Sequence, residues 1–267
     1  MQHKKSRKEV FAYWQRRSVE LAAERAERFA DNPLYVWKTK VVQELIYRFL
    51  PEKGWFLKCD LWNEGILEDS WFDLRTPPCK YGLNFVGIDI AKPVCRRTKK
   101  NAPSISVVNA DLNHLPFKSS AFNFVLDLST LDHVSVDEVC TILNEFRRVL
   151  SGTLLTIFHQ EKRLHIIKDI YHALWKYVKK EDLSSPFFID SFLSVDWMRR
   201  GLTKLGFRLQ FQRPLNIGAW FPFTHSVLKR CAREKERFIN VMNALECKVF
   251  PYSDWLSEYW VIVANKK

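Results

Sequence analysis

Three aspartates stand where short apolar runs of the chain end. Asp89 closes the run Val86-Gly-Ile-Asp-Ile90, and Asp111 and Asp127 stand at the ends of two later runs. A carboxylate at the end of a buried strand can accept two hydrogen bonds from the hydroxyls of a ribose. In open α/β sheets, ligands bind beyond the carboxyl ends of the strands, where these carboxylates would lie. The spacing therefore predicts a nucleotide-binding site.

A short polar loop follows the third of these runs. It reads Ser129-Thr-Leu-Asp-His133, and its Asp132 and His133 are candidates for a base that removes a proton from a substrate hydroxyl. A histidine in such a loop can equally hydrogen-bond to backbone, and Asp127 can equally cap the next helix or hydrogen-bond to a loop. His159, which follows a later apolar run, is open to the same two interpretations.

From Trp55 onward, short apolar runs alternate with helical stretches. This alternation is typical of βαβ units and a parallel sheet. The runs predict seven strands, at residues 56–59, 84–90, 104–109, 122–128, 153–158, 207–213 and 258–264.

Apolar residues at helical spacing predict helices before, between and after these strands. The first two helices are separated at Pro33, because the residue before a proline disfavours helix. Ser135 is a plausible N-cap for the clearest of the later helices. We expect helices at residues 8–30, 35–50, 135–150, 161–180 and 195–205.

From about residue 85 to residue 158, the chain resembles the class I S-adenosylmethionine (SAM)-dependent methyltransferases. The resemblance is carried by the ordered segments GIDI, NADLNHLPF, FNFVLDLSTLDHV, LNEFRRVL and GTLLTIF. It implies an α/β fold, a Rossmann-like seven-stranded sheet with N-terminal helices and a C-terminal helical insertion. The STLDH loop is similar to that of a subgroup of bacterial methyltransferases linked to glycan or lipid modification.

The resemblance also implies SAM as the cofactor and assigns roles to residues at the strand ends. Asp89 would hold the ribose, and Asp111 would receive the adenine amino group. Leu112 would flank the adenine ring, and Ser129 would line the methionine end of the cofactor.

The first strand departs from the pattern of this family. There, the strand ends in an acid followed by a Gly-x-Gly-x-Gly loop, which lets backbone approach the cofactor. Here Lys58 stands near the place of the acid, Asp60 stands where a glycine is expected, and only Gly65 remains. Either Lys58 pairs with the cofactor carboxylate and Asp60 with its ammonium, or SAM binding has been lost. The expected cofactor-binding set is Lys58, Asp60, Gly65, Asp89, Ile90, Asp111, Leu112, Asp127 and Ser129.

The composition leaves the partner open and excludes several classes of protein. The formal net charge of +12 suits anionic substrates, a membrane surface or nucleic acid. The six cysteines include no pair with metal-ligand spacing, so we expect free thiols in a reducing cytosol and no bound metal. The first residues are too charged for a secretory signal, and no apolar run reaches the roughly 20 residues of a spanning helix. We therefore expect a cytoplasmic protein that contacts membranes at most peripherally.

Three regions are expected along the chain. Residues 1–50 form an N-terminal helical cover, and residues 51–160 form the SAM-binding α/β core. Residues 161–267 complete the sheet and carry substrate-binding insertions at 161–200 and 214–252, which are rich in aromatic and basic residues. The N-terminal helices and both insertions are expected to cover the carboxyl ends of the strands.

The favoured function is methyl transfer from SAM to a hydroxyl of a small-molecule, glycan or lipid-linked acceptor. His133 or Asp132 would act as the base. An RNA methyltransferase, favoured by charge, is one alternative, and a catalytically silent binding protein with this fold is the other. The sequence contains no phosphate-binding Gly-x-x-x-x-Gly-Lys-Ser/Thr loop, no His-Glu-x-x-His and no Gly-x-Ser-x-Gly, which argues against those chemistries.

Overall fold

A computed structural model describes residues 7–24, 33–62, 82–160, 193–215, 240–241, 244, 257 and 259–267. A short 3₁₀ helix spans Leu131–His133. The helices are α1 (Arg7–Glu24), α2 (Pro33–Phe49), α3 (Lys92–Asn101), α4 (Val136–Val149) and α5 (Val195–Lys204). The strands are β1 (Gly54–Cys59), β2 (Leu83–Asp89), β3 (Ser106–Asn109), β4 (Phe122–Leu128), β5 (Leu150–His159), β6 (Phe207–Leu215) and β7 (Tyr259–Lys266).

The strands form one seven-stranded sheet in the order β3-β2-β1-β4-β5-β7-β6. Strands β1 to β5 run parallel, and β7 runs antiparallel to both β5 and β6. The sheet confirms the predicted seven-stranded α/β fold. Because the five parallel strands point the same way, their last residues meet at one edge of the sheet, which we call the carboxyl edge. The strand order reverses between β1 and β4, and ligands bind at such a switch point in open α/β sheets.

The strand bounds follow the apolar runs that predicted them, with local adjustments at the ends. β4 occupies the predicted residues, whereas β5 begins earlier because α4 ends at Val149 and the chain enters the sheet directly at Leu150. β3 begins later, at Ser106, because the amide of Ile105 donates to the carbonyl of Ala102 at 3.3 Å and belongs to the preceding turn.

Helix α2 buries one face of the sheet. Its Trp37, Val42 and Ile46 side chains are fully buried and belong to one apolar cluster with the strand residues Phe56 and Phe124. The two phenylalanine rings stack across neighbouring strands β1 and β4 with centroids 5.2 Å apart. α2 is therefore part of the core of the domain. Its early start at Pro33 has a local reason, since proline is favoured in the first turn of a helix.

Helices α4 and α5 bury the opposite face. α4 starts at the predicted N-cap: the Ser135 hydroxyl accepts from the Glu138 amide, and the Glu138 carboxylate accepts from the Ser135 amide. This capping box satisfies two amides that have no partner within the helix. The buried side chains of α4 recur at amphipathic spacing, and each contributes about 1.5–3 kcal/mol when removed from water. They include Val139, Ile142, Leu143 and Phe146.

Helix α3 connects β2 to β3 and has no counterpart among the predicted helices. Its sequence KPVCRRTKKN contains five basic residues in ten and few large apolar ones. Pro93 lies in its first turn, and Val94, Cys95 and Thr98 are buried against the sheet. The parallel pairing of β2 with β3 requires such a crossover, so the topology identifies this helix where composition does not.

Helix α1 lies against the carboxyl edge. The Gln15 amide nitrogen donates to the carbonyl of Ile90, just past β2, at 3.0 Å. The Trp14 ring meets Trp62, past β1, at 5.5 Å and His133, past β4, at 4.7 Å. The described contacts thus place α1 beside the ends of three strands, unlike α2.

Several predictions fall on residues outside those that the structure describes. These are the end of the helix predicted at 8–30, the helix at 161–180, Gly65, and most of the insertions at 161–200 and 214–252. Among the described helices, none combines the length and apolar character that crossing a membrane requires.

Candidate functional site

The loop after β1 begins with an aspartate in a glycine-like conformation. Asp60 has φ 61°, in the left-handed region that costs an L-residue about 1–2 kcal/mol and that Asp and Asn tolerate best. Its amide donates to the carbonyl of Ile88 at 3.0 Å, and its carboxylate accepts from the amide of Trp62 at 2.9 Å. The backbone turns as a glycine would permit, and the carboxylate hydrogen bond holds that turn.

Lys58 lies at the end of β1 with only 2% of its surface exposed. Its ammonium donates to the carbonyl of Cys59 at 2.7 Å and to the carbonyl of Asp60. These carbonyls lie at the end of the strand, so the ammonium caps the backbone of the turn. The positive charge also lies near enough to the buried Asp89 carboxylate to favour its ionised form.

Asp89, the last residue of β2, lies beneath the loop that follows β1. One carboxylate oxygen accepts from the Leu61 amide at 2.9 Å, and the other accepts from the Ala91 amide at 2.7 Å. Burial away from water raises the pKa of Asp89 to about 8, with a further contribution from the Asp60 carboxylate. The structure thus brings together two predicted carboxylates and the predicted lysine, Lys58.

A glycine that the sequence analysis did not single out makes room for this loop. A Cβ atom added to Gly87 in β2 would lie 2.6 Å from the side chain of Leu61. The absent side chain therefore lets Leu61 lie directly on β2, and the Leu61 amide reaches Asp89 from this position. In the sequence, an isolated glycine within an apolar strand signals such a close approach.

The segment after β3 forms the next part of the edge. Asn109 donates to the carbonyls of Asp89 and Ile90 at 2.8 and 3.0 Å, which ties the end of β3 to the end of β2. The Asp111 carboxylate accepts from the amide and the side chain of Asn113 at 2.9 and 3.0 Å. Leu112 is half-buried against the apolar cluster on the α4 face. Asp111 and Leu112 follow β3, so they lie on the β3 side of Asp89.

The predicted turn at 115–117 is held by an ion pair from α4. Arg148 donates to the carbonyls of Leu115 and Phe117 at 2.8 and 2.6 Å, and Glu145 accepts from the Leu115 amide at 2.7 Å. Arg148 and Glu145 also contact each other at 2.7 Å, which lowers the pKa of Glu145. This network fixes the chain between Asp111 and β4.

Asp127, in β4, is fully buried. Its oxygens accept from the Thr156 hydroxyl at 2.6 Å and from the Thr130 amide at 3.2 Å. Burial raises the pKa of Asp127 to about 6. The contacts correspond to the loop-holding interpretation of this residue, because both oxygens bind protein groups and no surface is exposed.

Ser129 begins the loop after β4 and also has a left-handed backbone, with φ 65°. Its amide donates to the carbonyl of Ile157 in β5 at 2.8 Å. Its hydroxyl oxygen is buried and has no hydrogen-bond partner within the part of the chain that the structure describes. An unsatisfied buried hydroxyl at the carboxyl edge has capacity to bind a ligand.

The two residues predicted as bases have different surroundings. Asp132 is fully buried, and its two oxygens contact the amide of His159 at 2.8 Å and the Nδ1 atom of His159 at 2.5 Å. His133 is partly buried with its ring against Trp14. Sequence reasoning left His159 ambiguous, and no local signal linked it to Asp132, because the contact spans two strands of the sheet.

One protein family matches part of the chain in sequence. A sequence model of the methyltransferase domain matches residues 73–155. No curated protein matches the chain in sequence.

Several solved structures share the fold. The magnesium protoporphyrin IX methyltransferase of Synechocystis PCC 6803 with bound S-adenosylhomocysteine gives a TM-score of 0.60 at 13% identity, over 97% of this chain and 99% of that one. A SAM-dependent methyltransferase from Methanosarcina mazei gives 0.54 at 18% identity, over 83% and 96%. The geranyl diphosphate C-methyltransferase of Streptomyces coelicolor A3(2) gives 0.56 at 12% identity, over 85% and 79%.

The likeness to these structures defines the fold, which is that of the class I SAM-dependent methyltransferases. The sequence match adds the class of domain: this chain carries a methyltransferase domain, and the cofactor of that class is SAM. The fold predicted from the sequence is confirmed, and the predicted methyltransferase domain is matched in sequence over residues 73–155.

The residues at the carboxyl edge fit this cofactor. Asp89 offers a carboxylate whose two oxygens each retain a second lone pair for a ribose hydroxyl. Asp60 reproduces the turn of a glycine, and the buried Ser129 hydroxyl can bind a polar group of a ligand. When bound, SAM supplies a methyl group on a positively charged sulfur.

Proposed function

We propose that this chain binds SAM at the carboxyl edge and transfers its methyl group to a hydroxyl of a small-molecule, glycan or lipid-linked acceptor. The observation that carries the proposal is the buried Asp89 carboxylate at the end of β2, beneath a loop whose first residue has the conformation of the missing glycine. Asp111, Leu112 and Ser129 would hold the adenine and the methionine ends.

The altered first loop suits a charged cofactor end. Asp60 is partly exposed, and its carboxylate would attract the ammonium of SAM. Lys58 is buried against the carbonyls of Cys59 and Asp60, so its charge would reach the cofactor only through space. Its effect on a cofactor carboxylate is therefore expected to be smaller than that of a direct ion pair.

The acceptor is proposed to be anionic or amphiphilic. The net charge of +12 favours anions at the surface. Two of the structural relatives are named for magnesium protoporphyrin IX and geranyl diphosphate, the second of which is an anionic amphiphile. An acidic side chain paired with an imidazole at the same edge favours a hydroxyl acceptor, because a hydroxyl must lose its proton.

Calorimetric titration with SAM and with S-adenosylhomocysteine tests the cofactor part of this proposal. We expect binding by the wild-type protein, and weaker binding by roughly 1.5–3 kcal/mol in Asp89→Ala, as for a lost hydrogen bond to a charged group. Asn84→Ala, an exposed position at the other end of the same strand, is the matched control and should bind as the wild type does.

Thermal unfolding of the same variants separates lost binding from lost folding, since Asp89 also holds the amides of Leu61 and Ala91. Equal affinity in Asp89→Ala and wild type would overturn the assignment of Asp89. No binding by the folded wild type at millimolar SAM would instead favour a catalytically silent binding protein.

A further inference from the structure

A buried carboxylate that follows β4 and an imidazole at the end of β5 meet at the carboxyl edge. Asp132 lies in the 3₁₀ helix after β4 and has no exposed surface, and His159 ends β5 with 13% of its side chain exposed. One Asp132 oxygen contacts Nδ1 of the ring at 2.5 Å, and the other accepts from the backbone amide of His159 at 2.8 Å.

These two contacts fix both the position and the tautomer of the ring. The backbone amide anchors the carboxylate, which leaves its second oxygen directed at Nδ1. A carboxylate oxygen can only accept, so the neutral ring carries its proton on Nδ1, and Nε2 is the atom with a lone pair. The ring of Tyr259 in β7 lies 4.0 Å from the His159 ring, centroid to centroid, and restricts its rotation further.

The location of the pair corresponds to the acceptor side of the proposed site. β5 lies beside β4, and the Ser129 amide, in the loop after β4, donates to the Ile157 carbonyl of β5. His159 lies two residues after Ile157 in β5. Because side chains alternate along a strand, the two side chains point to the same face of the sheet. Ser129 is the residue expected at the methionine end, and its amide binds β5 two residues before His159, which places both residues at the carboxyl edge.

We infer that His159 is the general base of this methyltransferase and that Asp132 is the positioning residue that holds its ring. The inference rests on the proposed function and replaces the expectation that His133 or Asp132 itself takes the proton. In the proton step, the acceptor O–H bond breaks, its electron pair stays on oxygen, and a new N–H bond forms at Nε2. The proton then passes from the imidazolium to water. The acceptor class is an alcohol or phenol that is not ionised at neutral pH.

Nuclear magnetic resonance of protein labelled with ¹⁵N in its histidines tests the pair without an acceptor. We expect the wild-type His159 ring to carry its proton on Nδ1, with the signal assigned by its loss in His159→Gln. In Asp132→Asn, the amide oxygen should accept from the His159 backbone amide, and the NH₂ group should face Nδ1. The ring proton should therefore move to Nε2. A wild-type ring with its proton on Nε2 would overturn the inference.

Addition of S-adenosylhomocysteine to the same labelled protein tests whether the ring lies at the site. The His159 ring signals should shift at saturation in the wild type. Binding of S-adenosylhomocysteine with no shift of these signals would exclude His159 from the site. If S-adenosylhomocysteine does not bind at all, the proposed function fails, whereas the tautomer result still reports on the pair.

Turnover separates a base from a structural histidine. With a hydroxyl acceptor that the wild type methylates, His159→Gln should lose roughly 10²–10⁴-fold in kcat, while the KM for SAM stays within about threefold. Asp132→Asn should lose kcat in the same sense and lose the dependence of kcat on pH that the imidazole causes. Arg208→Gln, at an exposed position near the start of β6, is the control and should keep most of its kcat. An unchanged kcat in His159→Gln would refute the role.

Discussion

At the scale of the residue, the site combines backbone strain with buried charge. Asp60 and Ser129 both have a left-handed backbone, and they begin the loops after the neighbouring strands β1 and β4. Residues in this conformation persist only where the surrounding structure holds them, and they concentrate at ligand sites. The first residues of both loops are therefore held at the switch point of the sheet.

The raised pKa of Asp89 leads to a pH-dependent affinity. With a pKa of about 8, the unliganded carboxyl is mostly protonated at pH 6 and ionised above pH 8. Ribose hydroxyls donate to the ionised form, so SAM should bind more tightly as pH rises from 6 to 8, by up to roughly tenfold per unit, and should level off above 8. Titration calorimetry in buffers of different ionisation enthalpy should detect the release of a proton at pH 7.

Asp89→Asn provides the comparison, because its amide does not titrate. We expect its weaker affinity for SAM to be flat from pH 6 to 8. If the affinity of the wild type for SAM is equally independent of pH, either the Asp89 carboxylate does not bind the ribose or it is already ionised at pH 6.

At the scale of the element, α4 supports the site from outside it. Its Glu145 and Arg148 hold the turn that leads from Asp111 to β4, and its buried face fixes β4 and β5. The stability of this helix should therefore matter to folding and little to ligand contacts.

The capping box of α4 gives a prediction that separates an effect on folding from an effect on ligand binding. Ser135→Ala leaves the Glu138 amide without its partner and should lower the free energy of unfolding by about 1 kcal/mol, measured in urea. Ser119→Ala, at an exposed position in the turn before β4, should have little effect. Affinity for S-adenosylhomocysteine should be the same in both variants, and a loss of affinity in Ser135→Ala alone would show that α4 is coupled to the site.

At the scale of the whole molecule, the N-terminal region is divided between two tasks. α2 is built into the core, whereas α1 lies along the carboxyl edge through Trp14 and Gln15. The proposed cover over the cofactor therefore depends on α1, whose contacts reach the ends of β1, β2 and β4.

Removing the Trp14 ring should loosen this cover. Each of its aromatic contacts, with Trp62 and with His133, is worth about 0.5–1.5 kcal/mol. In Trp14→Ala we expect faster hydrogen exchange in residues 7–24 and weaker binding of S-adenosylhomocysteine. Phe11→Ala is the matched control on the same helix, since Phe11 is 44% exposed. Unchanged affinity in Trp14→Ala would show that α1 packs beside the site without covering it.

The sequence by itself determined the strands, most of the described helices and the acids at the strand ends. An apolar run shows which segment leaves water, and the residue that ends the run marks where the strand reaches the edge of the sheet. β4, the Ser135 cap and the position of Asp89 follow from such local patterns. The α3 helix was not predicted because it contains many basic residues and only a few buried ones.

The tertiary structure decided which polar groups meet. Asp132 follows β4 and His159 ends β5, and their contact depends on the register between these two strands. The close packing of the Leu61 side chain on Gly87 likewise depends on the register between β1 and β2. Local periodicity reports how each segment is buried, whereas a hydrogen bond across strands is set by the alignment of two segments that packing brings together. Candidate site residues could therefore be named from the sequence, whereas the role of Gly87 and the partner of Asp132 could be identified only in the folded sheet.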